Sequence, residues 1–444
     1  MSASTLSASA MSASTIQRLI EFLDQSPTPF HAVEAMGQRL KGAGFERLSD
    51  SQSWNLEQGG RYFVTRNDSA IIAFTKGRGS VVADGLRVAG AHTDSPCLKL
   101  KPTPSIQKKG YVQLGVEVYG GALLNPWFDR DLSLAGRVDY EAADGAVASA
   151  LFDAQTSVAF IPSLAIHLDR TANEGRKINP QTEMAPIVAL AGDDSGFDLD
   201  SLLLEELTKQ GLKPQSILSH ELMFYDTQGA SLVGLQDEFL ASARLDNLLS
   251  CFVAMESLIE AGDDYTSIVV CNDHEEVGSV SSSGAQGPFL RAVIDRLLQA
   301  EAASLDGFDR LMSVSNMLSI DNAHGVHPNF ADRHDDSHGP ILNAGPVIKI
   351  NANQRYASNS HTTALFKKLC NGAGVPSQSF AMRADMACGS TIGPITAASL
   401  GLETVDVGVP TFGMHSIREL AGSKDAEAMA KVVTAFFARG DRAV

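Results

Sequence analysis

The stretch Ser267-Ile-Val-Val-Cys-Asn-Asp-His-Glu-Glu-Val-Gly-Ser279 joins an apolar, β-branched run to two adjacent carboxylates, Glu275 and Glu276. Residues 267–271 have the composition of a buried β-strand, so the two glutamates are expected at the mouth of that strand. Open α/β sheets place their ligands at the carboxyl ends of strands. At such a position one carboxylate can bind a metal ion while its neighbour handles a proton.

Other side chains that commonly bind metals follow further short apolar stretches of the chain. They are His92, Asp94, Asp246, Asp321 and His415. Most of them close an apolar or β-branched run, so they are also expected at strand ends. Together they supply the nitrogen and oxygen donors that a two-metal site requires. The joint pattern predicts a two-metal hydrolase.

Each of these residues, taken alone, also has a purely structural interpretation. His92 could be a buried histidine that simply finds hydrogen-bond partners. Asp246 could cap the helix that it precedes, and Asp321 could turn the loop that follows it. His415 could hydrogen-bond the neighbouring Ser416 or a backbone group, and the two glutamates could be solvated.

Composition limits the classes of function. The chain has 444 residues, 44% of them hydrophobic, and a net charge of −17, which is typical of a soluble protein of two to three domains. The acidic balance argues against nucleic acid or an anionic membrane as a partner.

Five cysteines without C-x-x-C spacing indicate reduced thiols in a cytoplasmic protein. Residues 1–15 lack the features of a signal peptide and are expected to be disordered.

The spacing of apolar residues along the chain predicts a catalytic domain that is split in sequence. Residues 16–96 combine helical spacing with strands, and residues 235–444 alternate helices with strands, as in an α/β sheet covered by helices. Between them, residues 97–234 contain short alternating segments such as Tyr111–Tyr119, which favour antiparallel strands. We therefore expect an inserted β-rich domain.

Ten segments of the chain resemble the aspartyl aminopeptidases, a family of dinuclear zinc exopeptidases. They occur in the family's order and extend the resemblance over nearly the whole chain. The segments are AHTDSPCLKLKP, PWFDRDLSLAGRV, IPSLAIHLDR, ARLDNL, DHEEVGS, DNAHGVHPN, GPVIKIN, QRYASN, MACGSTIGPI and MHSIREL. The departures, Gly121–Trp127 and Ile320, remove no ligand. The resemblance implies a mixed-sheet, three-layer catalytic domain with an inserted dimerisation domain.

The resemblance also implies a role for each candidate residue, and two zinc ions per subunit. Cobalt and manganese also suit mixed nitrogen and oxygen ligands. The implied roles are His92 and Asp321 on one zinc, Glu276 and His415 on the other, Asp246 bridging both, Glu275 as general base, and Asp94 orienting His92.

The implied substrate is a peptide with an unblocked N-terminal Asp, or less readily Glu. Lys349, with Tyr356 and His327, resembles the pocket for the acidic side chain. A lysine between isoleucines in a strand is costly to bury without a counter-charge, which the substrate would supply; the alternative is that Lys349 reaches solvent at a strand edge. His167 resembles a histidine that reaches a neighbouring subunit's site and stabilises the oxyanion, and the implied assembly is a tetrahedral homo-dodecamer.

Two other interpretations stay open at this point. Another two-metal hydrolase, such as a neutral-residue aminopeptidase or an amidohydrolase, would not need Lys349. A binding protein that forms a shell without catalysis would not need two metal ions. His334–His338 is expected to be a solvated or interface loop, despite its metal-like composition. The glycine-rich Asp385–Gly393 resembles an anion cradle, and a tight turn packed near the site is an equal alternative.

Overall fold

The computed structural model describes residues 15–192 and 197–440. Their contacts divide the chain into two compact units. The first contains the chain up to Asp94, Ala230–Met414 and the chain from Glu419; the second contains Ser95–Gly229 and His415–Arg418. The predicted insertion, 97–234, extends further at its C-terminal end and does not include His415–Arg418. Its role in dimerisation stays a prediction.

Twenty strands are present in the described residues. They are β1 (Glu46–Arg47), β2 (Arg61–Arg66), β3 (Ala70–Thr75), β4 (Arg87–His92), β5 (Cys97–Lys108), β6 (Tyr111–Tyr119), β7 (Leu132–Ala142), β8 (Val147–Asp153), β9 (Ile187–Leu190), β10 (Pro214–Asp226), β11 (Ser231–Val233), β12 (Phe239–Ser242), β13 (Ser267–Asn272), β14 (Asn316–Ile320), β15 (Ala323–His324), β16 (Val347–Ile350), β17 (Gln378–Ala381), β18 (Glu403–Gly408), β19 (Pro410–Phe412) and β20 (Glu419–Gly422).

The α-helices alternate with these strands. They are α1 (residues 15–24), α2 (Pro29–Gly42), α3 (Val81–Asp84), α4 (Pro180–Glu183), α5 (Leu199–Lys209), α6 (Leu245–Glu260), α7 (Phe289–Ala300), α8 (Gly307–Ser313), α9 (Ser360–Gly372), α10 (Ile392–Leu400) and α11 (Asp425–Ala438). The predicted disorder of residues 1–15 concerns residues outside the described part of the chain, except for residue 15, which is helical.

A nine-stranded mixed sheet forms the centre of the first unit, in the order β1-β2-β3-β13-β4-β14-β18-β16-β17. The strands β13, β4, β14 and β18 run parallel to one another, whereas β2, β3 and β16 pair antiparallel with a neighbour. The four strands β3, β13, β4 and β14 are buried along their whole length. Such strands need cover on both faces.

Two apolar clusters provide that cover. Alternate residues of β13 belong to different clusters: Val269 packs with residues of α2, α6 and α11, and Ile268 packs with residues of α7, α8 and α10. Successive side chains of a strand point to opposite faces, so helices cover both faces of the sheet. The predicted mixed α/β, three-layer architecture is confirmed.

A five-stranded sheet in the first unit, in the order β11-β12-β20-β19-β15, contains the strand that leads into α6. The second unit contains a six-stranded antiparallel sheet in the order β8-β7-β10-β5-β6-β9, whose apolar cluster includes Trp127, Phe152 and Leu222. The segment Tyr111–Tyr119 forms β6, an antiparallel strand as its alternation predicts.

Within residues 15–192 and 197–440, none of the helices combines the length and the hydropathy that crossing a bilayer requires.

Candidate metal centre

Three side chains from distant parts of the first unit meet around one point. The His92 Nε2 atom lies 3.4 Å from Asp246 Oδ1 and 3.7 Å from Asp321 Oδ1. The same nitrogen lies 3.9 Å from Glu275 Oε2, and Glu276 belongs to the same group of candidate ligands. His92, Asp246 and Asp321 form one group, and His92, Glu275 and Glu276 form another. Within each group, all potential ligand atoms lie within 4.8 Å of one another.

The strand register explains why these residues meet. Asn272, the last residue of β13, lies opposite His92 at the end of β4, and β14 runs parallel to β4 on its other side. The three carboxyl ends therefore share one edge of the sheet. Asp321 directly follows β14, and the glutamate pair follows β13. The prediction that these residues lie at strand ends is correct.

Asp246 reaches the group by a different route. The helix α6 begins at Leu245 after Arg244, whose φ is 59°, and Asp246 itself has non-helical backbone angles. The Asp246 N–H donates to the Glu419 carboxylate at 2.9 Å. The N-cap of α6 is Arg244, whose side chain makes no capping hydrogen bond, and Asp246 lies at a kink in the first turn of the helix.

The two glutamates lie in a tight turn rather than in a continued strand. Glu275–Val277 form a single 3-10 turn between His274, with φ of 63°, and Gly278, with φ of 98°. A glycine suits the last of these angles. The Glu275 N–H donates to Asp94 Oδ1 and the Glu276 N–H donates to Asp94 Oδ2, each at 3.1 Å. One carboxylate thus fixes the backbone of both glutamates.

Asp94 also contacts His92, as predicted, but largely through its backbone. His92 Nδ1 lies 3.0 Å from the Asp94 carbonyl oxygen and 3.4 Å from Asp94 Oδ1. Such contacts fix the ring orientation of a histidine whose other nitrogen is free to bind a metal.

The group has the electrostatics of a cation site. Burial raises the pKa of Glu275 to about 8 against the opposing effect of His92, and nearby Asp321 and Glu276 raise it further. Burial lowers the pKa of His92, but hydrogen bonds to Asp246, Asp321 and Asp94 outweigh it and leave the pKa well above its usual value. A bound cation would offset the repulsion among crowded carboxylates beside a histidine ring. Imidazole nitrogen and carboxylate oxygen are zinc ligands, so the donor set fits zinc.

Lys349 borders this group from β16. Its side chain is 2% exposed, and its Nζ lies 3.3 Å from Asp321 Oδ2. The same ammonium donates to the Asn322 carbonyl at 3.2 Å and lies 5.2 Å from the centre of the Tyr356 ring. The alternative that Lys349 reaches solvent is therefore wrong. Asp321 already supplies a counter-charge, so burial alone does not require one from a substrate.

Tyr356 and the predicted histidine differ in their relation to Lys349. Tyr356 is buried under the ammonium, and burial together with Cys388 raises its pKa. His327 instead contacts Phe330 and Phe412, with ring centres 4.9 Å and 5.5 Å away. The neighbouring His324 is affected by Lys349: burial lowers the pKa of His324, and the positive charge of the lysine lowers it further. Sequence analysis did not single out His324.

His167 and His415 belong to the second unit. His167 lies in an exposed turn between the exposed side chains of Ile166 and Leu168. His415 has φ of 68°, and its Nδ1 lies 3.2 Å from the Gly121 carbonyl oxygen. The roles of both histidines stay predictions.

The segments His334–His338 and Asp385–Gly393 have local structural roles. His338 Nδ1 lies 2.7 Å from Asp335 Oδ1 in an exposed turn. At the end of the glycine-rich segment, Thr391 caps α10 and donates to the buried Asp406 at 2.6 Å.

Sequence analysis missed three buried residues that hold the backbone near the candidate ligands. Besides Glu419, Asn247 Nδ2 donates to the Ile320 carbonyl at 2.9 Å, and Cys251 Sγ donates to the His92 carbonyl at 3.0 Å. The only signal that could have pointed to them is their position: Asn247 follows Asp246 directly, and Cys251 lies on the apolar helix α6.

Comparisons with known proteins identify the family of this chain. The family model described as "Aminopeptidase I zinc metalloprotease (M18)" matches residues 22–437. A "Probable M18 family aminopeptidase 2" of Ectopseudomonas mendocina is 57% identical over 423 residues, or 95% of this chain and 97% of the relative. A chain in the cryo-EM structure of the Ape4 and Nbr1 complex has a TM-score of 0.92 at 40% identity, covering 96% of this chain and 86% of that chain. For the S. cerevisiae mApe1 dodecamer the TM-score is 0.83 at 30% identity, with 95% and 96% covered. The chain therefore belongs to the M18 family of zinc metalloprotease aminopeptidases.

Proposed function

We propose that this aminopeptidase uses two zinc ions to remove unblocked N-terminal Asp, and less readily Glu, from peptides. The observation that carries the proposal is the group of buried His92, Asp246 and Asp321 and half-buried Glu275 and Glu276, with the Lys349 ammonium beside it. The group supplies the donors for a metal-dependent hydrolase, and the lysine supplies a buried positive charge next to it.

The proposed zinc ligands are His92 and Asp321 for one ion, Glu276 and His415 for the other, and Asp246 for both. The contacts among His92, Asp246, Asp321 and Glu276 support this assignment, and His415 rests on the sequence resemblance. When bound, zinc polarises a carbonyl and lowers the pKa of water.

Glu275 is the proposed general base. It takes a proton from the attacking water and later delivers it to the leaving amine, which makes it act first as a base and then as an acid. Its partly buried side chain beside the ligands and its backbone, which Asp94 holds, suit a residue that transfers protons at one fixed place.

Lys349 is the proposed partner of the acidic substrate side chain, with Tyr356 below it and His327 further away. A buried ammonium attracts a carboxylate strongly because little water screens the two charges. In this proposal the ammonium is shared between Asp321 and the substrate. A neutral-residue aminopeptidase would need this charge only as the partner of Asp321.

His167 is proposed to act in the site of a neighbouring subunit, where it stabilises the oxyanion. Two observations support a self-associating chain. The turn that carries His167 exposes Leu164, Ile166 and Leu168, and a relative with 30% identity is a dodecamer. Exposed apolar side chains of this kind are typical of interaction surfaces. We propose the same dodecameric assembly for this protein.

Turnover of four matched peptides tests the proposed function. The peptides begin with Asp, Glu, Leu or N-acetyl-Asp, and each is measured with and without a chelator. Cleavage that a chelator abolishes, in the order Asp, Glu, Leu, with none of the acetylated peptide, is the expected result. A preference for Leu would retain the metal hydrolase but reject the Lys349 pocket. No cleavage by a zinc-loaded sample would favour a non-catalytic binding shell.

A further inference from the structure

Glu419 is a buried acid whose carboxylate contacts the backbone of a proposed zinc ligand. Its side chain accepts the Asp246 N–H at 2.9 Å, and the residue is 3% exposed. The sheet register places it there. Glu419 at the start of β20 lies opposite Ser242 at the end of β12, and the chain then turns through Arg244 into α6.

The same arrangement recurs at the glutamate pair. Asp94, which is 1% exposed, accepts the N–H groups of Glu275 and Glu276 with its two oxygens. In both places a residue with φ near +60° precedes the candidate ligands: Arg244 before Asp246, and His274 before the glutamates. The chain leaves regular hydrogen bonding at such turns, and a buried N–H needs another acceptor.

A carboxylate is a strong but costly choice of acceptor. Its hydrogen bonds to N–H groups are shorter and stronger than those of neutral acceptors. Burying it near the Asp246 carboxylate, however, adds like charge to a crowded site, which disfavours the folded state. Local conflicts of this kind are expected at functional sites.

We propose that Glu419 is a positioning residue for the metal centre. It fixes the backbone at Asp246, so that this side chain is held towards the other ligands, just as Asp94 fixes the turn of Glu275 and Glu276. Glu419 acts through Asp246 and is not itself assigned as a ligand. The inference rests on the proposed role of Asp246 as a zinc ligand.

Amide hydrogen exchange of the metal-free protein tests the backbone contacts directly. Mass spectrometry of peptides that cover 243–249 and 273–280 compares the wild type with Glu419→Ala and Asp94→Asn. We expect Glu419→Ala to accelerate exchange in 243–249 alone, and Asp94→Asn to accelerate it in 273–280 alone. Each variant is therefore the control for the other. Faster exchange in both peptides of Glu419→Ala would overturn the proposal, since it would indicate general loosening.

Zinc affinity, measured by competition with a chromogenic chelator, tests whether the contact of Glu419 with the Asp246 backbone supports metal binding. Glu419→Ala is expected to bind zinc about 10- to 100-fold more weakly. Glu419→Gln keeps an oxygen acceptor and is expected to restore most of the affinity. Wild-type affinity in Glu419→Ala, or no rescue by Glu419→Gln, would overturn the proposal. If Glu419→Ala does not fold, Glu419→Met takes its place with the same outcomes.

The two proposals can fail separately. A wild-type protein that binds no zinc would reject the proposed function, whereas the exchange measurement on metal-free protein would still decide the backbone role of Glu419.

Discussion

The metal centre of the first unit and the turn around His167 in the second unit carry proposed catalytic residues in opposite settings. His92 and Asp246 are 1% and 3% exposed, and buried hydrogen bonds hold their backbones. Beside His167, Leu168 is 75% exposed. A buried group is positioned by its own chain, whereas an exposed apolar turn gains its contacts from another surface. These settings agree with our proposal that the metal ligands are organised within one chain and that His167 acts in the site of a neighbouring subunit.

The largest effect on activity is expected from a change of Glu275 in the metal centre. Glu275→Gln keeps the shape of the side chain but removes the proton acceptor, so kcat should fall about 10²- to 10⁴-fold. The zinc content should stay at the wild-type value, whereas Glu276→Gln should lower it. Metal analysis and steady-state kinetics on the same samples measure both effects. Full turnover by zinc-loaded Glu275→Gln would contradict the assignment of the base.

Replacement of His167 tests the exposed side. His167→Ala removes a proposed oxyanion donor, and kcat should fall about 10²- to 10³-fold while zinc content is unchanged. Co-expression of His167→Ala with Glu275→Gln is the decisive experiment. If His167 serves a neighbouring subunit, some sites of the mixed assembly receive both functional residues, and activity should exceed that of either variant alone. Mixed assemblies without such recovery would reject the proposal that His167 acts in the site of a neighbouring subunit.

Lys349→Met should change specificity more than stability of the metal centre. A lost hydrogen bond to a charged group costs about 1.5–3 kcal/mol, so the preference for Asp over Leu should fall about 10- to 100-fold. Lys76→Met is a matched control, because Lys76 is also buried in the first unit and donates to the Leu56 carbonyl at 3.0 Å. Equal loss of preference in both variants would show that the effect is not specific to the pocket.

The smallest expected effect concerns a buried acid outside the candidate ligands. Burial raises the pKa of Asp425 to about 7, although N–H groups of Asn343 and Gly345 oppose the shift. Its unfolded pKa is about 3.9, so the folded protein binds more protons between about pH 4 and 7. The free energy of unfolding contributed by this group therefore falls as pH rises through that window.

Asp425→Asn should flatten that pH dependence, because an amide does not titrate. Urea unfolding at fixed subunit concentration, repeated at several pH values, measures the change relative to the wild type. An unchanged slope between pH 4 and 7 in the variant would show that Asp425 is not the titrating group. The test also asks whether burial alone perturbs an acid of the first unit when no candidate metal ligand is involved.

Much of the fold and of the centre could be predicted from sequence because the signals were local. The β-branched run before Glu275 predicted β13, and the ligand-type residues after other apolar runs predicted a shared sheet edge. The backbone conformation at Asp246 could not be predicted from local sequence signals. The Asp246 N–H donates to Glu419, which lies far away in sequence and is brought close by the pairing of β12 with β20.

The surroundings of Lys349 show the same limit. Isoleucine neighbours predicted burial correctly, but the counter-charge from Asp321 arises from the order of β14, β18 and β16 in the sheet. The effect on His324, whose pKa burial and the Lys349 charge lower, likewise depends on how the strands are arranged. A pattern along one strand does not reveal which side chains a neighbouring strand presents.

The insertion of Ser95–Gly229 immediately after Asp94 has a consequence for biosynthesis. A ribosome delivers His92 first, then Ser95–Gly229, and only later the other proposed ligands Asp246, Glu276 and Asp321. Domains tend to fold as units during synthesis, and long-range strand pairing is slow. Zinc affinity arises with the folded arrangement of ligands. The nascent chain therefore cannot assemble these ligands until β14 has left the ribosome, and fragments that end before it should neither retain zinc nor acquire proteolytic activity prematurely.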